Sequence, residues 1–364
     1  MLPRDVRRHI GQLVMAGFPG HSIPPELKSL AREFDLGGVV LFARNVDEPE
    51  QVADLSRQAQ EMVDELPLWV SVDQEGGRVA RLKGPFTRWP AMATLGRSGD
   101  DALAARFAGA LAAELKAVGI SLDYTPVLDI LTNPSNPAIG DRALADRAED
   151  VARLGRVIIE TLQAAGIAAC GKHFPGHGDT SLDSHHHLPL VEHPPDRLRR
   201  VEMVPFRSAI EANVAGVMTA HILIPSLDDE RPATISPRIV SEILKAELGH
   251  RGLVFTDDME MKGISAERGV PDAAVQAIAA GCDVALLCGP SQDTQAATIE
   301  ELIRAAEDGT LPLKRIEDAL TRQRRVKERF LAPPQPRPLS GAALRDALGR
   351  DEYQAIADEM SRFA

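Results

Sequence analysis

The sequence of 364 residues is long enough for two ordinary domains or for one large α/β barrel, and 44% of its residues are hydrophobic. Its 41 Lys and Arg residues against 53 Asp and Glu residues give a net charge of −12, which argues against nucleic acid as a partner. The basic N-terminal segment MLPRDVRRHIGQLVMAGFPG has too short an apolar stretch for a signal peptide or a membrane span, so we expect a cytoplasmic protein with no membrane partner.

Eight short apolar runs rich in Val, Ile and Leu recur along the chain, and segments with helical spacing separate most of them. In chain order the runs are QLVMAGF (12–18), GGVVLFA (37–43), LPLWVSVD (66–73), ISLDYTPVLDI (120–130), IAACGKH (167–173), AGVMTAH (215–221), GLVFTD (252–257) and CDVALLC (282–288). Two intervening segments, DRAEDVARLGRVIIETLQAAG and PRIVSEILKAELG, are typical of helices that end at a Gly before the next strand. The pattern predicts buried strands that alternate with helices.

Such alternation indicates a parallel sheet, and eight strands favour its closure into a TIM-type (β/α)8 barrel of the α/β class. The first unit is the weakest part of this prediction, because only a long loop joins the first two runs. An open doubly wound sheet is the alternative fold, but no G-x-G-x-x-G motif follows an early run.

The C-terminal part changes character at LAPPQPRPLSG (331–341), a Pro-rich linker before one helical stretch, ALRDALGRDEYQAIADEMSRF. We therefore expect a single catalytic barrel domain over residues 1–331. Residues 332–364 are expected to form the linker and a helix, without making a separate domain.

Polar and charged residues cluster where the predicted strands end. They are Asp73 in the third run, Lys172 and His173 in the fifth, His221 in the sixth, and Asp257 with its neighbour Asp258 at the seventh. Catalytic residues of parallel barrels lie at the carboxyl ends of the strands. This one-sided distribution predicts an enzyme.

The segment GKHFPGHGDTSLDSHHHLP (171–189) follows the fifth strand and continues into a loop over residues 174–195. This loop is too long for an ordinary connection, which favours a binding or catalytic role. Within it, Asp183 precedes His185 by two residues, so a bend in the chain would let the carboxylate accept a hydrogen bond from one ring nitrogen. Such a pair is a proton donor and acceptor tuned near neutral pH.

Metal binding is the alternative use of the histidines in this loop. Metal-dependent barrel hydrolases usually carry H-x-H at the end of the first strand, and here that strand ends in GFPG. A phosphate-binding G-x-x-x-x-G-K-[ST] motif is missing as well. The cysteines Cys170, Cys282 and Cys288 match no zinc spacing, and we expect reduced, buried thiols. The sequence therefore predicts neither a metal nor a cofactor.

Three long motifs, VSVDQEGGRVARL, KHFPGHGDTSLDSHHHLP and GLVFTDDMEMKG, together resemble the β-N-acetylglucosaminidases of glycoside hydrolase family 3, in their single-domain bacterial form. The similarity extends from about residue 10 to residue 330 and includes GGVVLFARN, PVLDI followed by IGDRA, and AGCDVALLC. It implies a retaining hydrolase that removes terminal non-reducing N-acetyl-β-D-glucosamine by double displacement.

The resemblance also implies roles for individual residues. Asp257 is the expected nucleophile, and His185 is the expected acid/base residue, with Asp183 orienting its ring. Family 3 β-glucosidases instead take an acid/base glutamate from an additional domain, and we expect no such domain here. The expected substrate contacts are Asp73, Arg81, Arg142, Lys172 and His173.

Structural roles are the alternative for several of these residues. Asp257 and Asp258 could cap the following helix, and strand alternation should let only one of them point into the barrel mouth; the family position selects Asp257. Asp183 could form a turn, while Lys172 and Arg142 could serve only to neutralise carboxylates.

The remaining polar residues have structural interpretations. His177 is expected to hold the loop through hydrogen bonds, and His221 either lines the pocket or is structural. Asp129 and Asp283 are expected to be buried carboxylates bonded to the backbone. His186 and His187 are expected to be solvated or to pack, although the run of three histidines leaves open which ring faces the sugar.

The sequence thus predicts a monomeric cytoplasmic β-N-acetylhexosaminidase that acts on a small carbohydrate, with peptidoglycan fragments in cell-wall recycling as the implied substrates. Alternatives within the family are a β-glucosidase and a phosphorylase that uses phosphate in place of water. The alternative outside enzymology is a sugar-binding barrel without turnover.

Overall fold

The computed structural model describes residues 3–63, 66–266, 268–332 and 337–364. Within these ranges, parallel strands form a closed barrel in chain order. They are β1 (Val14–Ala16), β2 (Gly38–Leu41), β3 (Trp69–Val72), β4 (Leu122–Asp123), β5 (Ala168–Phe174), β6 (Gly216–Thr219), β7 (Leu253–Asp258) and β8 (Val284–Leu287). Pairing of β1 with both β2 and β8 closes the ring, which confirms the predicted TIM-type (β/α)8 fold.

Large side chains fill the interior of the barrel. Trp69, Tyr124 and Phe255 are almost fully buried in one apolar cluster with residues of the helix Leu313–Leu331. The indole Nε1 of Trp69 donates a 3.1 Å hydrogen bond to the side chain of Gln323 on that helix. This helix covers the end of the barrel at which β3 begins, and the carboxyl ends of the strands, where the polar residues cluster, form the open end.

Helices surround the barrel and join its strands. The α-helices are Arg4–His9, Pro25–Phe34, Pro49–Gln60, Met92–Ser98, Asp101–Ala117, Ala148–Ala164, Pro195–Arg200, Val204–Glu211, Lys262–Ser265, Val270–Ala280, Gln292–Asp308, Leu313–Leu331, Gly341–Ala347 and Asp351–Ser361. Short 3-10 helices cover Ile10–Leu13, Ala43–Asn45, Gly140–Arg142 and Ala233–Ile235. In the described ranges, none of the helices is long and apolar enough to cross a membrane.

The helix Pro25–Phe34 joins β1 to β2, where the sequence predicts only a long loop. It begins with a proline at a position where the backbone N–H has no partner in the helix and proline is well tolerated. Its fully buried residues are only Leu27 and Ala31, one turn apart. Leu30 and Phe34 pack against the core beside them, so the apolar residues do follow helical spacing. The prediction of a loop is wrong although this signal was present, because the segment directly follows the Gly- and Pro-rich stretch GFPGHSIPP, which is typical of a loop.

The two helices predicted before the fifth and seventh strands are present but differ in type. The first is the α-helix Ala148–Ala164, whereas the second, Arg238–Glu247, is a π-helix. Each is followed by a glycine in the left-handed region, with φ of 89° at Gly166 and 74° at Gly249. Glycine adopts this conformation without steric cost, as the sequence pattern indicated.

The fourth apolar run contains much less strand than predicted. Only Leu122–Asp123 belongs to the barrel ladder, and the chain rejoins β5 through a single bridge between Val127 and Lys172. The run contains Pro126, which has no N–H to donate to a ladder. A separate antiparallel hairpin, Gln74–Gly76 with Val79–Ala80, follows β3.

The C-terminal segment forms two helices where the sequence predicts one helical stretch. They are interrupted near Gly349, which has a φ of 55° and donates its N–H to Glu114 at 2.8 Å. Leu344 and Met360 are fully buried in the main core. Part of the Pro-rich linker lies outside the described residues, and the division at residues 331 and 332 stays a prediction.

Candidate active site

A cavity of about 310 Å³ opens at the carboxyl ends of the barrel strands. All eight side chains that the sequence predicts for the site line it: Asp73, Arg81, Arg142, Lys172, His173, Asp183, His185 and Asp257. They come from the ends of three strands, β3, β5 and β7, from the segments that follow β3 and β5, and from the 3-10 helix Gly140–Arg142. The fold thus brings the predicted residues together, and their individual roles stay predictions.

Asp257 lies near the end of β7 with its side chain in the cavity wall. Burial by itself would raise the pKa of this carboxyl, but His173 and His221, together with the N–H of Asp258, hold the pKa below its ordinary value. The Asp258 N–H donates to Asp257 Oδ1 at 2.8 Å. Asp257 is therefore an anion at neutral pH.

Asp258 also lines the cavity, contrary to the expectation that only one of the two aspartates would do so. The pairing of β7 with β8 shifts register before Asp258, which breaks the strict alternation of side chains. The carboxylate of Asp258 accepts hydrogen bonds from the backbone N–H groups of Glu260 and Cys288, at 3.0 and 3.1 Å. Burial raises the pKa of Asp258 to about 6.

Asp183 and His185 form the bent pair that the sequence suggests. His185 Nδ1 lies 2.7 Å from Asp183 Oδ1, and the same oxygen accepts the backbone N–H of His185 at 3.0 Å. Burial would raise the pKa of Asp183, but these hydrogen bonds from His185 hold it below its ordinary value. His185 lines the cavity, whereas His186 and His187 are exposed elsewhere, so His185 is the ring that faces the site.

A buried charge network lies beside the aspartates and contains Glu75, which sequence reasoning missed. Lys172 Nζ is 2.7 Å from Asp73 Oδ1 and 2.6 Å from Glu75 Oε1. Arg142 donates to both oxygens of Glu75, at 2.8 and 2.9 Å. Burial would raise the pKa of Glu75, but Arg142 and Lys172 hold it well below its ordinary value. Lys172 and Arg142 therefore do both: they neutralise carboxylates, and they line the cavity.

Arg81 completes the wall on the side of Asp73. Its guanidinium Nη2 donates to Asp73 Oδ2 at 3.4 Å, and the group stacks over the ring of Phe42 at 5.4 Å.

The signal for Glu75 was present in the sequence, in the motif DQEGGR directly after the third strand. A position after a strand end does not by itself distinguish Glu75 from a glutamate on the protein surface.

Asp129 is the buried, backbone-bonded carboxylate that the sequence predicts. It accepts the N–H groups of His173 at 3.2 Å and of His177 at 2.7 Å. It also lies 2.6 Å from His173 Nδ1, so it orients the ring of a predicted substrate contact. Spacing along the sequence gives no indication of this second role.

The other structural histidine and carboxylate predictions hold. His177 holds the loop through Thr180 and Ser184, at 2.8 and 3.0 Å. His221 is fully buried between Thr234 and the carbonyl of Asp258, which makes it structural. Asp283, far from this loop, accepts the N–H of Val254 at 2.9 Å and forms ion pairs with the half-buried Lys245 and Arg315. The three cysteines are free and buried, as expected.

Comparison with known proteins places this barrel in a family. The family described as "Glycosyl hydrolase family 3 N terminal domain" matches residues 5–326. The chain belongs to glycoside hydrolase family 3. It is therefore a glycoside hydrolase, and the resemblance seen in the three sequence motifs is confirmed.

Two curated family 3 relatives show the extent of the similarity. A β-hexosaminidase of Bordetella pertussis is 39% identical over 327 residues, which cover 88% of this chain and 89% of the relative. A β-hexosaminidase A of Pseudoalteromonas piscicida is 37% identical over 286 residues, or 73% of this chain. The match covers only 48% of that second relative, so this chain spans about half its length.

Solved family 3 structures share the fold throughout. A β-N-acetylglucosaminidase from a Paenibacillus species superposes with a TM-score of 0.94 at 41% identity, covering 100% of this chain and 69% of that one. NagZ of Neisseria gonorrhoeae, solved in complex with N-trifluoroacetyl-D-glucosamine, has a TM-score of 0.78 at 32% identity over 97% of each chain. In the described part of the present chain, no group of three or more His, Cys, Asp and Glu side chains is arranged to hold a metal ion.

Proposed function

We propose that this family 3 chain is a retaining β-N-acetylhexosaminidase that removes terminal non-reducing N-acetyl-β-D-glucosamine by double displacement. One observation carries the proposal: an anionic carboxylate, Asp257, and an imidazole paired with a carboxylate, His185 with Asp183, line the same cavity. The names of the similar proteins, β-hexosaminidases and a β-N-acetylglucosaminidase, support this substrate class.

In the first step, a carboxylate oxygen of Asp257 bonds to the anomeric carbon as the bond from that carbon to the leaving oxygen breaks. His185, protonated at Nε2, gives this proton to the leaving oxygen. Asp183 stabilises the protonated ring through Nδ1, at 2.7 Å. The negative charge of Asp257 stabilises the positive, oxocarbenium-like transition state before it becomes a glycosyl ester.

In the second step, water attacks the anomeric carbon and the ester bond to Asp257 breaks. The neutral Nε2 of His185 takes a proton from this water, which returns the ring to its starting state. The sugar leaves with retained configuration because two displacements have occurred at one carbon.

The charged side chains around the cavity suit a sugar ligand. Sugar hydroxyls donate and accept hydrogen bonds, and bonds to buried charged groups are among the strongest that proteins make. Asp73, Arg81, Arg142, Lys172 and His173 are the proposed contacts, each held in place by a neighbouring ion pair or hydrogen bond. Rigid placement before binding lowers the entropy cost of recognition.

We further propose that the protein is a cytoplasmic monomer that takes its substrates from peptidoglycan fragments during cell-wall recycling and needs no metal. The motif resemblance to bacterial β-N-acetylglucosaminidases supports this assignment. In this proposal, His185 transfers protons together with Asp183, and His177 holds the loop through hydrogen bonds.

Hydrolysis of 4-nitrophenyl N-acetyl-β-D-glucosaminide in the presence of EDTA tests the mechanism. Wild type should turn over, and Asp257→Asn should lose on the order of 1,000-fold or more in kcat, since it removes the nucleophile. Glu160→Gln is the matched control: this surface carboxylate, half exposed beside Arg156, should be replaceable without loss. Turnover abolished by EDTA, or retained by Asp257→Asn, would refute the proposal.

Product analysis separates the alternatives within the family. A hydrolase releases free N-acetylglucosamine whether or not phosphate is present, whereas a phosphorylase forms the sugar 1-phosphate. Binding of N-acetylglucosamine without turnover of any glycoside would support the sugar-binding barrel instead.

A further inference from the structure

A continuous set of buried hydrogen bonds joins the sugar side of the cavity to the acid/base loop. Asp129 holds the ring of His173, at 2.6 Å, and accepts the backbone N–H of His177, at 2.7 Å. The ring of His177 in turn contacts two hydroxyl groups of the loop. Its Nδ1 lies 2.8 Å from Thr180 Oγ1, and its Nε2 lies 3.0 Å from Ser184 Oγ.

Every member of this set is shielded from water. His177 is 2% exposed, Ser184 3%, and Asp129 and Thr180 are fully buried. By contrast, the side chains of Asp183 and His185 are 32% and 63% exposed, so packing does little to fix them directly. Hydrogen bonds in a buried setting are costly to break because the freed groups cannot turn to water.

Ser184 lies between the two members of the proton-transfer pair. Its hydroxyl faces His177, and its backbone carbonyl accepts the N–H of Gly263 at 3.1 Å. The carbonyl of His185 accepts the N–H of Lys262 at 3.3 Å. The centre of the Asp183 to His185 segment is therefore held from two sides, by the His177 ring and by the first residues of the short helix Lys262–Ser265.

We propose that His177 is a positioning residue that acts through Ser184 to hold the Asp183–His185 pair at the cavity, and so sets the efficiency of proton transfer to the leaving group. The inference rests on the proposed function, because it assigns the proton transfer to His185. His177 is buried and is not among the side chains that line the cavity. Burial lowers its pKa, which suits a neutral ring that offers one donor and one acceptor to two hydroxyls.

Ser184→Ala tests the proposal with a minimal change. It removes one hydroxyl and leaves Asp183, His185 and the backbone bonds of the loop intact. A small displacement of a catalytic group can cost on the order of 100-fold in rate. The loss should depend on the leaving group, since a basic leaving oxygen needs the proton and a nitrophenolate hardly does.

The assay compares kcat/KM for two substrates with different leaving groups. This constant reports the steps up to formation of the glycosyl-enzyme, which include departure of the leaving group. For N,N′-diacetylchitobiose, Ser184→Ala should lower kcat/KM about 10- to 100-fold, whereas for the 4-nitrophenyl glycoside the loss should stay within about threefold. His177→Leu should behave like Ser184→Ala, and His177→Gln, which returns a polar group near the Nε2 position, should recover part of the loss. Ser208→Ala, which removes a hydroxyl bonded to Ala152 on a remote helix, is the matched control.

Azide provides a second measurement that a purely structural role would not affect. Azide attacks the glycosyl-enzyme without needing a base, displaces Asp257 and forms a glycosyl azide. It should therefore raise the kcat of Ser184→Ala on the 4-nitrophenyl glycoside and leave that of wild type nearly unchanged. Equal losses on both substrates without azide rescue would overturn the positioning role, while an active Asp257→Asn would instead overturn the proposed function itself.

Discussion

Replacing Glu75 by Gln removes one negative charge from the buried network and leaves the shape of the side chain unchanged. Glu75 is 1% exposed, and its two oxygens face Arg142 and Lys172, whose side chains are 12% and 2% exposed. After the substitution Lys172 keeps its ion pair with Asp73, whereas Arg142 loses its carboxylate partner and keeps a hydrogen bond to the carbonyl of Ala138. Both cations belong to the proposed sugar contacts, so stability and binding should respond together.

The magnitude follows from the burial of the pair. Breaking a buried ion pair by removal of one partner costs about 3–5 kcal/mol, because the other charge remains desolvated. Lys172 keeps Asp73 at 2.7 Å, and the Gln carbonyl still accepts one hydrogen bond, which places Glu75→Gln near the lower end, at about 3 kcal/mol. The loss of orientation at Arg142 and Lys172 should raise KM more than it lowers kcat.

Urea unfolding of wild type and Glu75→Gln measures the first effect, and steady-state kinetics on the 4-nitrophenyl glycoside measures the second. Glu160→Gln makes the same chemical change in an exposed pair with Arg156, and it should cost no more than about 0.5 kcal/mol. A Glu75→Gln protein within about 1 kcal/mol of wild type, with unchanged KM, would refute the reasoning about the network.

Three further predictions concern other buried groups. Burial raises the pKa of Asp123 from an ordinary 3.8 to about 8, so between these pH values the folded state keeps a proton that the unfolded state loses. The free energy of unfolding should therefore fall as the pH rises through this range, by up to ~1.4 kcal/mol per pH unit. Asp123→Asn should flatten this dependence in urea unfolding curves, and an unchanged slope would contradict the assignment. Burial also raises the pKa of all three thiols, so Ellman's reagent should label the protein only after it unfolds; labelling of the native protein at the unfolded rate would disprove this. A methyl group at Gly263 would lie 2.8 Å from the carbonyl oxygens of Ser184 and His187. Gly263→Ala should therefore displace the loop and lower kcat/KM about tenfold. Gly109→Ala is the control, because its methyl group would have its nearest neighbour at 3.9 Å and should not affect activity.

Much of the fold could be predicted because the signals are local. Runs buried on both faces and helical spacing between them require only neighbouring residues, and they predicted the closed barrel and the position of its strands. The errors have two sources. The helix Pro25–Phe34 has helical spacing but directly follows a Gly- and Pro-rich stretch that is typical of a loop, and the fourth run contains a proline within its apolar stretch. The break between the two C-terminal helices depends on a bond from Gly349 to Glu114, a partner 235 positions away.

For the candidate site, the sequence by itself determined which kinds of side chain stand at the strand ends, since strand direction brings those ends to one face. Only the tertiary structure decided how the charges combine: Glu75 meets Arg142 across 67 positions, and Asp129 meets His173 across 44. The same applies to the choice of His185 among three adjacent histidines, because the turn at Asp183 and the contacts of Ser184 aim one ring at the cavity. Hydrogen bonds and ion pairs between distant segments depend on distances of a few ångströms, and spacing along the chain carries no information about them until the barrel has closed.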